Sequence, residues 1–188
     1  VGRTYEAIIR INSQSGKGGI AYVLDADYGL KLPRNLQIEF SQDIQAITDA
    51  EGKEVPAKRI YERFLELYVD QPGSRLKFVD HHTFPDPVQK GMRLVEATIV
   101  DNGKQVTING TGNGPIDGFV NALSAHIGID LSVLDYSEHS IQRGSNAAAI
   151  SYLEMEYPNG KLFGVGINTN IVAASLEAVV SAANRILG

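Results

Sequence analysis

The sequence predicts an α+β protein in which two βββα repeats, related by a pseudo-twofold, form an antiparallel sheet and helix sandwich. The main observation is that residues 75–127 and residues 131–187 each show three strand-like segments followed by one helical segment. The repeats turn at Asn102-Gly103-Lys104 and at Asn159-Gly160-Lys161, in corresponding places. Such self-similarity indicates a repeated supersecondary unit, and each helix can cover one apolar face of a sheet.

A small strand-and-helices subdomain is expected before the repeats. Apolar and polar residues alternate over residues 5–11, which predicts a strand, and a glycine-rich loop is expected at residues 13–19. A short apolar stretch at residues 20–24 predicts one or two helical turns. Pro33 and Pro56 each precede an apolar stripe with helical spacing, and proline is tolerated in the first turn of a helix.

Gln71-Pro72-Gly73-Ser74 is the strongest boundary signal in the chain. The predicted domains are therefore a linker subdomain at residues 1–72 and a βββα-repeat domain at residues 73–188. After the boundary the hydrophobic pattern changes to period two, which is typical of half-buried strands. The expected elements are strands at 75–84, 93–100 and 104–110, a helix from Pro115, strands at 131–141, 147–157 and 161–168, and a last helix at 170–187 that buries Ile171.

Composition restricts the classes of function. The chain has 188 residues, a net charge of −5 and no cysteine, which excludes disulfides and thiolate chemistry. The acidic balance argues against a nucleic-acid or anionic-membrane partner. No apolar run approaches the roughly 20 residues that span a bilayer, so a cytoplasmic protein is expected. The chain begins with Val1 instead of methionine, which suggests a piece of something longer.

The glycine pattern before the first-repeat helix is the sharpest local signal. Gly110, Gly112 and Gly114 are spaced along a strand end, and Pro115 suits the first helical position. Free N–H groups there could hold a carboxylate or phosphate. The alternative is a tight strand-to-helix turn that needs glycine for its backbone angles. Spacing alone favours this second interpretation slightly.

Other motifs carry weaker signals. Residues 15–19 hint at a phosphate loop but lack the spacing of one. His81-His82, with Asp80 and Asp86, could suggest a metal site, yet adjacent strand residues point to opposite faces. Glu138-His139 beside two serines could suggest a hydrolase, yet the sharp turn that presents a nucleophile is absent from the pattern. The Glu154/Glu156 pair is expected to be solvated.

Several segments together resemble the region after the catalytic barrel in 2-isopropylmalate synthases of the longer bacterial type, and the resemblance covers essentially the whole chain. The segments that carry it are Asn12–Tyr22, Leu36–Ser41, the loop Gly112-Asn113-Gly114-Pro115-Ile116-Asp117, Leu134–His139, and Gly164–Ile167 with Ala174-Ser175. The resemblance implies the regulatory part of an enzyme that condenses acetyl-CoA with 2-oxoisovalerate. It places the catalytic barrel, with its divalent metal, outside this chain, so no cofactor and no catalytic residue are expected here.

By the same resemblance, the domain forms a homodimer and binds L-leucine as a feedback inhibitor at the repeat and subunit interface. The leucine-binding residues that it implies are Gly112, Asn113, Gly114, Pro115, Ile116, Asp117, Val133, Tyr136, Ser140, Ala147 and Ile171. Three alternatives stay open: the isoleucine-sensing domain of a citramalate synthase, a purely structural dimerisation domain, and an independent enzyme built on His139 and Glu138.

Overall fold

The computed structural model describes residues 16–143 and 145–188, in two compact units, Val1–Glu66 and Leu67–Gly188. The predicted strand at residues 5–11 lies outside the described residues. The predicted domain boundary after residue 72 lies a few residues beyond the division between the units.

The first unit is helical over its described residues. Helix α1 spans Gly16–Tyr28, α2 spans Arg34–Glu51, and α3 spans Ala57–Phe64 before a π-helical segment at Leu65–Asp70. The helices expected after Pro33 and Pro56 are confirmed, and each proline is the N-cap residue of its helix. The predicted loop at 13–19 is wrong from Gly16 onward, because the helix that buries Ile20, Val23 and Leu24 begins there.

Aromatic contacts and one ion pair hold the three helices together. The rings of Tyr28 and Tyr61 stack with their centroids 3.9 Å apart, so α1 contacts α3. Arg63 on α3 donates two hydrogen bonds to the carboxylate of Asp43 on α2, at 2.7 and 2.8 Å. Hydrogen bonds to Asp43 raise the pKa of the Arg63 guanidinium, which stays charged. A bidentate ion pair of this kind fixes the relative orientation of the two side chains as well as their distance.

The second unit contains the two predicted repeats. In the first repeat, β1 (Leu76–Pro85), β2 (Arg93–Asp101) and β3 (Lys104–Gly112) form an antiparallel sheet before α4 (Pro115–Ile127). In the second, β4 (Ser132–Arg143), β5 (Asn146–Tyr157) and β6 (Gly160–Asn168) do so before α5 (Ile171–Leu187). The predicted fold class is confirmed.

Both helices pack on the inner face of their own sheet and share a core. Phe119 of α4 and Leu176 and Val179 of α5 are fully buried with Ile99 of the first sheet and Leu153 of the second. Burying side chains of this size contributes about 1.5–3 kcal/mol each. This shared core makes the repeats one folding unit.

Glycines let each helix approach its sheet closely. A Cβ on Gly110 would lie 2.3 Å from the carbonyl oxygen of Gly118 in α4. A Cβ on Gly164 would lie 1.9 Å from the carbonyl oxygen of Ala178 in α5. Both distances are shorter than any tolerated contact, so the backbone itself excludes a side chain at these positions. The matching contacts make Gly118 and Ala178 equivalent positions of the two repeats.

Helix side chains cover the free edges of the third strands. Ser181 accepts a hydrogen bond from the N–H of Val165 at 3.1 Å, and Arg185, one turn further, donates to the carbonyl of Phe163 at 2.5 Å. Unpaired strand edges are sites of unwanted pairing with other chains. The side chains of α5 therefore satisfy edge groups that a further strand would otherwise use.

Each helix also holds the first strand of the other repeat. Asn184 of α5 accepts from the N–H of Leu76 at 2.8 Å and donates to its carbonyl at 2.9 Å. Ser124 of α4 accepts from the N–H of Leu131, just before β4, at 3.1 Å. These crosswise contacts occupy corresponding positions, as a pseudo-twofold arrangement requires.

A second-sheet residue departs from the expectation. Glu154, predicted to be solvated with Glu156, is only 7 % exposed, whereas Glu156 is exposed. Glu154 lies on the face of β5 that also carries Ile150 and Tyr152, both buried. The alternation of polar and apolar residues along β5 does not reveal that the face carrying Glu154 is buried.

Candidate functional site

The start of α4 is an open helix N-terminus. Gly114 is the N-cap residue with extended backbone (φ −162°), and Pro115 occupies the first turn. Among the described residues no side chain caps this helix. A Cβ placed on Gly114 would meet no atom within 4 Å. Uncapped N–H groups beside open space can receive an anion.

One backbone donor of this loop is already used. The carboxylate of Asp117 accepts a hydrogen bond from the N–H of Asn113 at 2.9 Å, and the bond is exposed to solvent. Asp117 therefore fixes the loop and places a negative charge beside the helix N-terminus. An anion bound there would have to carry a positive group as well, to pair with Asp117.

Gly112 has a different role from Gly114. A Cβ on Gly112 would lie 2.4 Å from the backbone nitrogen of Gly118 and 2.6 Å from a carboxylate oxygen of Asp117. The missing side chain of Gly112 therefore admits helix α4. Only Gly114 of the pair faces open space.

Two polar side chains outside the predicted set support the loop. The hydroxyl of Thr111 donates to Asp86 at 2.9 Å, and Asn121 donates to the carbonyl of Thr111 at 2.8 Å. Hydrogen bonds from the backbone N–H groups of Gln89 and Val88, with a smaller one from Thr111, lower the pKa of Asp86. The residue just before Gly112 is thus held from both sides. No local sequence pattern pairs Asp86 with Thr111.

The remaining predicted residues lie on the second repeat. Val133, Tyr136 and Ser140 on β4 and Ala147 on β5 all lie on the inner face of the second sheet, and Ile171 is the first residue of α5. Val133 and Tyr136 share this face despite an odd spacing, because a β-bulge between Val133 and Asp135 shifts the register.

All five of these residues are exposed in the single chain, including the three large side chains. Val133 is 37 % exposed, Tyr136 is 40 % exposed and Ile171 is 47 % exposed. The prediction that Ile171 is buried is wrong. The equivalence of Gly118 and Ala178 explains this, since α4 starts three residues before Gly118 and α5 starts seven before Ala178. Helix α5 therefore has one extra turn, which carries Ile171 beyond the core.

Buried hydroxyls and a carboxylate accompany this apolar group. Ser151 and Ser175, both almost fully buried, hydrogen-bond each other at 3.1 Å. The hydroxyl of Tyr136 donates to Glu138 on the same face of β4. Partial burial, together with Glu138, raises the pKa of the Tyr136 hydroxyl, which stays protonated. Neither Ser151 nor Ser175 was among the predicted site residues.

The predicted residues thus form two groups, one on each repeat. The first group, residues 112–117, lies at the end of the first sheet, and the second lies on the inner face of the second sheet. The second group is apolar and open, and the first supplies backbone donors and one carboxylate.

The geometry around the alternative catalytic, phosphate-loop and metal motifs does not match those functions. His139 contacts the hydroxyl of Tyr152 at 2.8 Å, on the outer face of the second sheet, whereas Glu138 lies on the inner face. Gly16–Gly19 belong to α1. In the part of the chain that the structure describes, no three His, Asp or Glu side chains converge as a metal site. Within the same residues, no helix is long and apolar enough to cross a membrane.

Two βββα repeats with a shared core and crosswise helix contacts define a pseudo-symmetric α+β domain. The chain belongs to the family of LeuA allosteric (dimerisation) domains, whose model matches residues 54–187. A second family model, for the post-catalytic-like domain of alpha-isopropylmalate synthase, matches residues 1–25.

Curated relatives agree with both matches. The chain is similar to the 2-isopropylmalate synthases of Mesorhizobium japonicum (82 % identity over 188 residues), Rhizobium meliloti (72 % over 187 residues) and Mycobacterium leprae (47 % over 189 residues). Each alignment covers 100 % of this chain but only 34 %, 34 % and 30 % of the relative. The chain therefore spans about a third of the length of the curated relatives that it matches.

Proposed function

We propose that this chain is the regulatory region of a 2-isopropylmalate synthase, that it forms a homodimer, and that it binds L-leucine as the feedback inhibitor. The condensation of acetyl-CoA with 2-oxoisovalerate would take place in a catalytic barrel of the same polypeptide. The observation that carries the proposal is the uncapped start of α4 at Gly114, which faces open space.

The charges around this helix suit an amino acid. The carboxylate of leucine would accept hydrogen bonds from the backbone N–H groups that follow Pro115, where the helix dipole favours negative charge. The ammonium group would pair with the exposed carboxylate of Asp117. A plain anion would lack this second contact and would be repelled by Asp117, so the site favours a zwitterion.

The apolar group on the second repeat would receive the isobutyl side chain and contact a second subunit. Val133, Tyr136 and Ile171 are exposed in one chain, and fully burying one such side chain contributes about 1.5–3 kcal/mol. The family description names dimerisation, which supports a second copy as the cover. Leucine bound beside this surface would couple to subunit packing, and typical couplings between sites are about 1–3 kcal/mol.

Calorimetric titration of the Gly114→Asp variant with L-leucine tests the site. The added carboxylate would lie beside that of the ligand, so we expect leucine binding to be lost. The matched control is Gly114→Ala, which adds neither a charge nor a side-chain acceptor that could cap the helix, and should retain most of the affinity. Both variants should fold, since a Cβ at Gly114 meets no atom within 4 Å.

Normal leucine binding by a folded Gly114→Asp variant would contradict this site. Titration of the unmodified chain with L-isoleucine separates the main alternative. The two amino acids differ only in the position of one methyl group, which is worth about 1–3 kcal/mol in a shaped pocket. Tighter binding of isoleucine would instead favour the citramalate synthase type of regulator.

A further inference from the structure

A small groove lies between the two repeats, next to helix α5 and separate from the residues around Gly114. Its walls are the start of β1 and the end of β6, and α5 forms its floor. The cavity volume is about 290 Å³. Since ligand pockets range from about 300 to 1,000 Å³, this groove has the size for a molecule as small as an amino acid.

Glu177 is the main polar group of the groove. Its carboxylate accepts hydrogen bonds from the side chain of Asn168, at 3.1 Å, and from the backbone N–H of Ile167. Burial raises the pKa of this carboxyl, while the hydrogen bonds from Asn168 and Ile167 act in the opposite direction. A carboxylate has about four acceptor positions, so these two donors leave room for a ligand donor.

The other walls complete the chemistry of a zwitterion. Lys77 lines the same groove and offers a cation, while Leu76, Phe78 and Val180 provide apolar walls. Asp70 adds a second carboxylate at one end. An ammonium group could therefore pair with Glu177, a carboxylate with Lys77, and a short aliphatic chain could lie against Phe78.

The internal repeat relates this groove to the start of α4. Because Gly118 and Ala178 are equivalent, Glu177 occupies the position of Asp117. Each carboxylate accepts from a backbone N–H at the end of the third strand, that of Asn113 just after β3 and that of Ile167 near the end of β6. The same local device thus occurs twice among the described residues, and the copy at Glu177 lines the groove together with Lys77.

We infer that the groove around Glu177 and Lys77 is a second ligand site, which takes a small zwitterion with an aliphatic side chain. It differs from the site at Gly114 in its main anchor. Glu177 anchors the ammonium group here, whereas backbone N–H groups anchor the carboxylate there. The inference does not depend on the proposed function, because its residues and its readout are separate.

Backbone amide NMR of the chain, titrated with three probes, tests the inference. The probes are L-leucine, isoamylamine, which lacks the carboxylate, and isocaproate, which lacks the ammonium group. We expect leucine and isoamylamine to shift the amide signals of Gly166 and Ile167, because the Ile167 N–H donates to Glu177. Isocaproate should leave these two signals unchanged.

Two variants and one control identify the residues. Glu177→Gln keeps an acceptor for Ile167 but removes the charge, and should weaken isoamylamine binding at least about tenfold. Lys77→Ala changes an exposed side chain, and should weaken leucine about two- to fivefold while sparing isoamylamine. Glu96→Gln, on the exposed outer face of the first sheet, should change neither.

The possible results are distinct. Shifts at Gly166 and Ile167 that persist in Gly114→Asp and disappear in Glu177→Gln would establish a second site. Absence of these shifts with all three probes, or undiminished shifts in Glu177→Gln, would overturn it. If leucine leaves the amide signal of Gly114 unshifted in the unmodified chain, that result counts against the proposed function and leaves the inference about this groove unaffected.

Discussion

The two repeats share one plan, but their helices begin differently. In the first repeat, α4 starts at Gly114, which no described side chain caps. In the second, the side chain of Asn170 caps α5 by accepting from the N–H of Ala173 at 2.9 Å. An internal repeat with one capped and one open helix suggests that the open N-terminus is kept for a ligand, since capping a helix stabilises it by about 1 kcal/mol.

The outer faces of the two sheets differ as well. In the first sheet this face is polar and exposed, with residues such as Lys77, Glu96 and Asn109. In the second sheet the same face carries Tyr152 and Phe163, which are buried. The sheet of the second repeat therefore carries buried side chains on both of its faces. Equivalent substitutions should cost more there than in the first repeat.

The largest effect is expected for Gly164→Ala, which forces a methyl group into the backbone of α5. We expect a loss of about 3 kcal/mol or more in the free energy of unfolding, because the new Cβ would lie 1.9 Å from the Ala178 carbonyl oxygen. Urea denaturation measures this. The control Gly114→Ala should change stability by less than about 0.5 kcal/mol. Equal losses in both variants would refute the close helix approach.

Ser181→Ala and Asn121→Ala compare the edge contacts of the two repeats. Ser181 is buried and bonds both the Val165 N–H and the Tyr68 carbonyl, so its loss should cost about 1–3 kcal/mol. Asn121 makes its bond to Thr111 at an exposed position, where water can replace it, and should cost less than about 1 kcal/mol. Thermal or urea unfolding of both variants measures which one loses more free energy of unfolding. A larger loss for Asn121→Ala would show that burial of the hydrogen bond does not govern the size of the loss.

The acid stability of the first repeat should depend on Asp101. Hydrogen bonds from Arg75, with His126 next, lower the pKa of Asp101 from 3.8 to about 2. Because the folded-state pKa is depressed, this contribution is present above about pH 4 and is lost as the pH falls towards 2. Asp101→Asn should flatten the decline of stability over this window, while Glu96→Gln should not. An unchanged decline in Asp101→Asn would contradict the assignment.

The sequence predicted the order of elements because alternation and helical spacing are local properties. It placed α4, for example, from the apolar stripe after Pro115. The sequence could not reveal why position 112 is a glycine. A side chain there is excluded by atoms of Gly118 and Asp117 in α4, and this contact is visible only in the folded structure. The bulge that brings Val133 and Tyr136 to one face is likewise a property of strand pairing, which no single strand encodes.

The same limit applies to the start of α5. An apolar residue at the beginning of an amphipathic helix reads as core, so Ile171 was expected inside. Its exposure follows from the extra turn of α5 relative to α4, which becomes visible only when Gly164 and Gly110 are aligned through their helix contacts. The extra turn is present in α5 and has no counterpart in α4. It is therefore a structural difference between the two repeats.

The smallest effect on the single chain is expected for Ile171→Ser. Because Ile171 is 47 % exposed, the free energy of unfolding at low protein concentration should change by less than about 0.5 kcal/mol. If the extra turn contacts a second subunit, the same variant should dissociate at a higher concentration than the unmodified chain, as analytical ultracentrifugation can measure. Val88→Ser is the control, since Val88 is 88 % exposed in the first repeat. Equal dissociation of both variants would mean that the extra turn serves the helix alone and that the dimer forms through another surface.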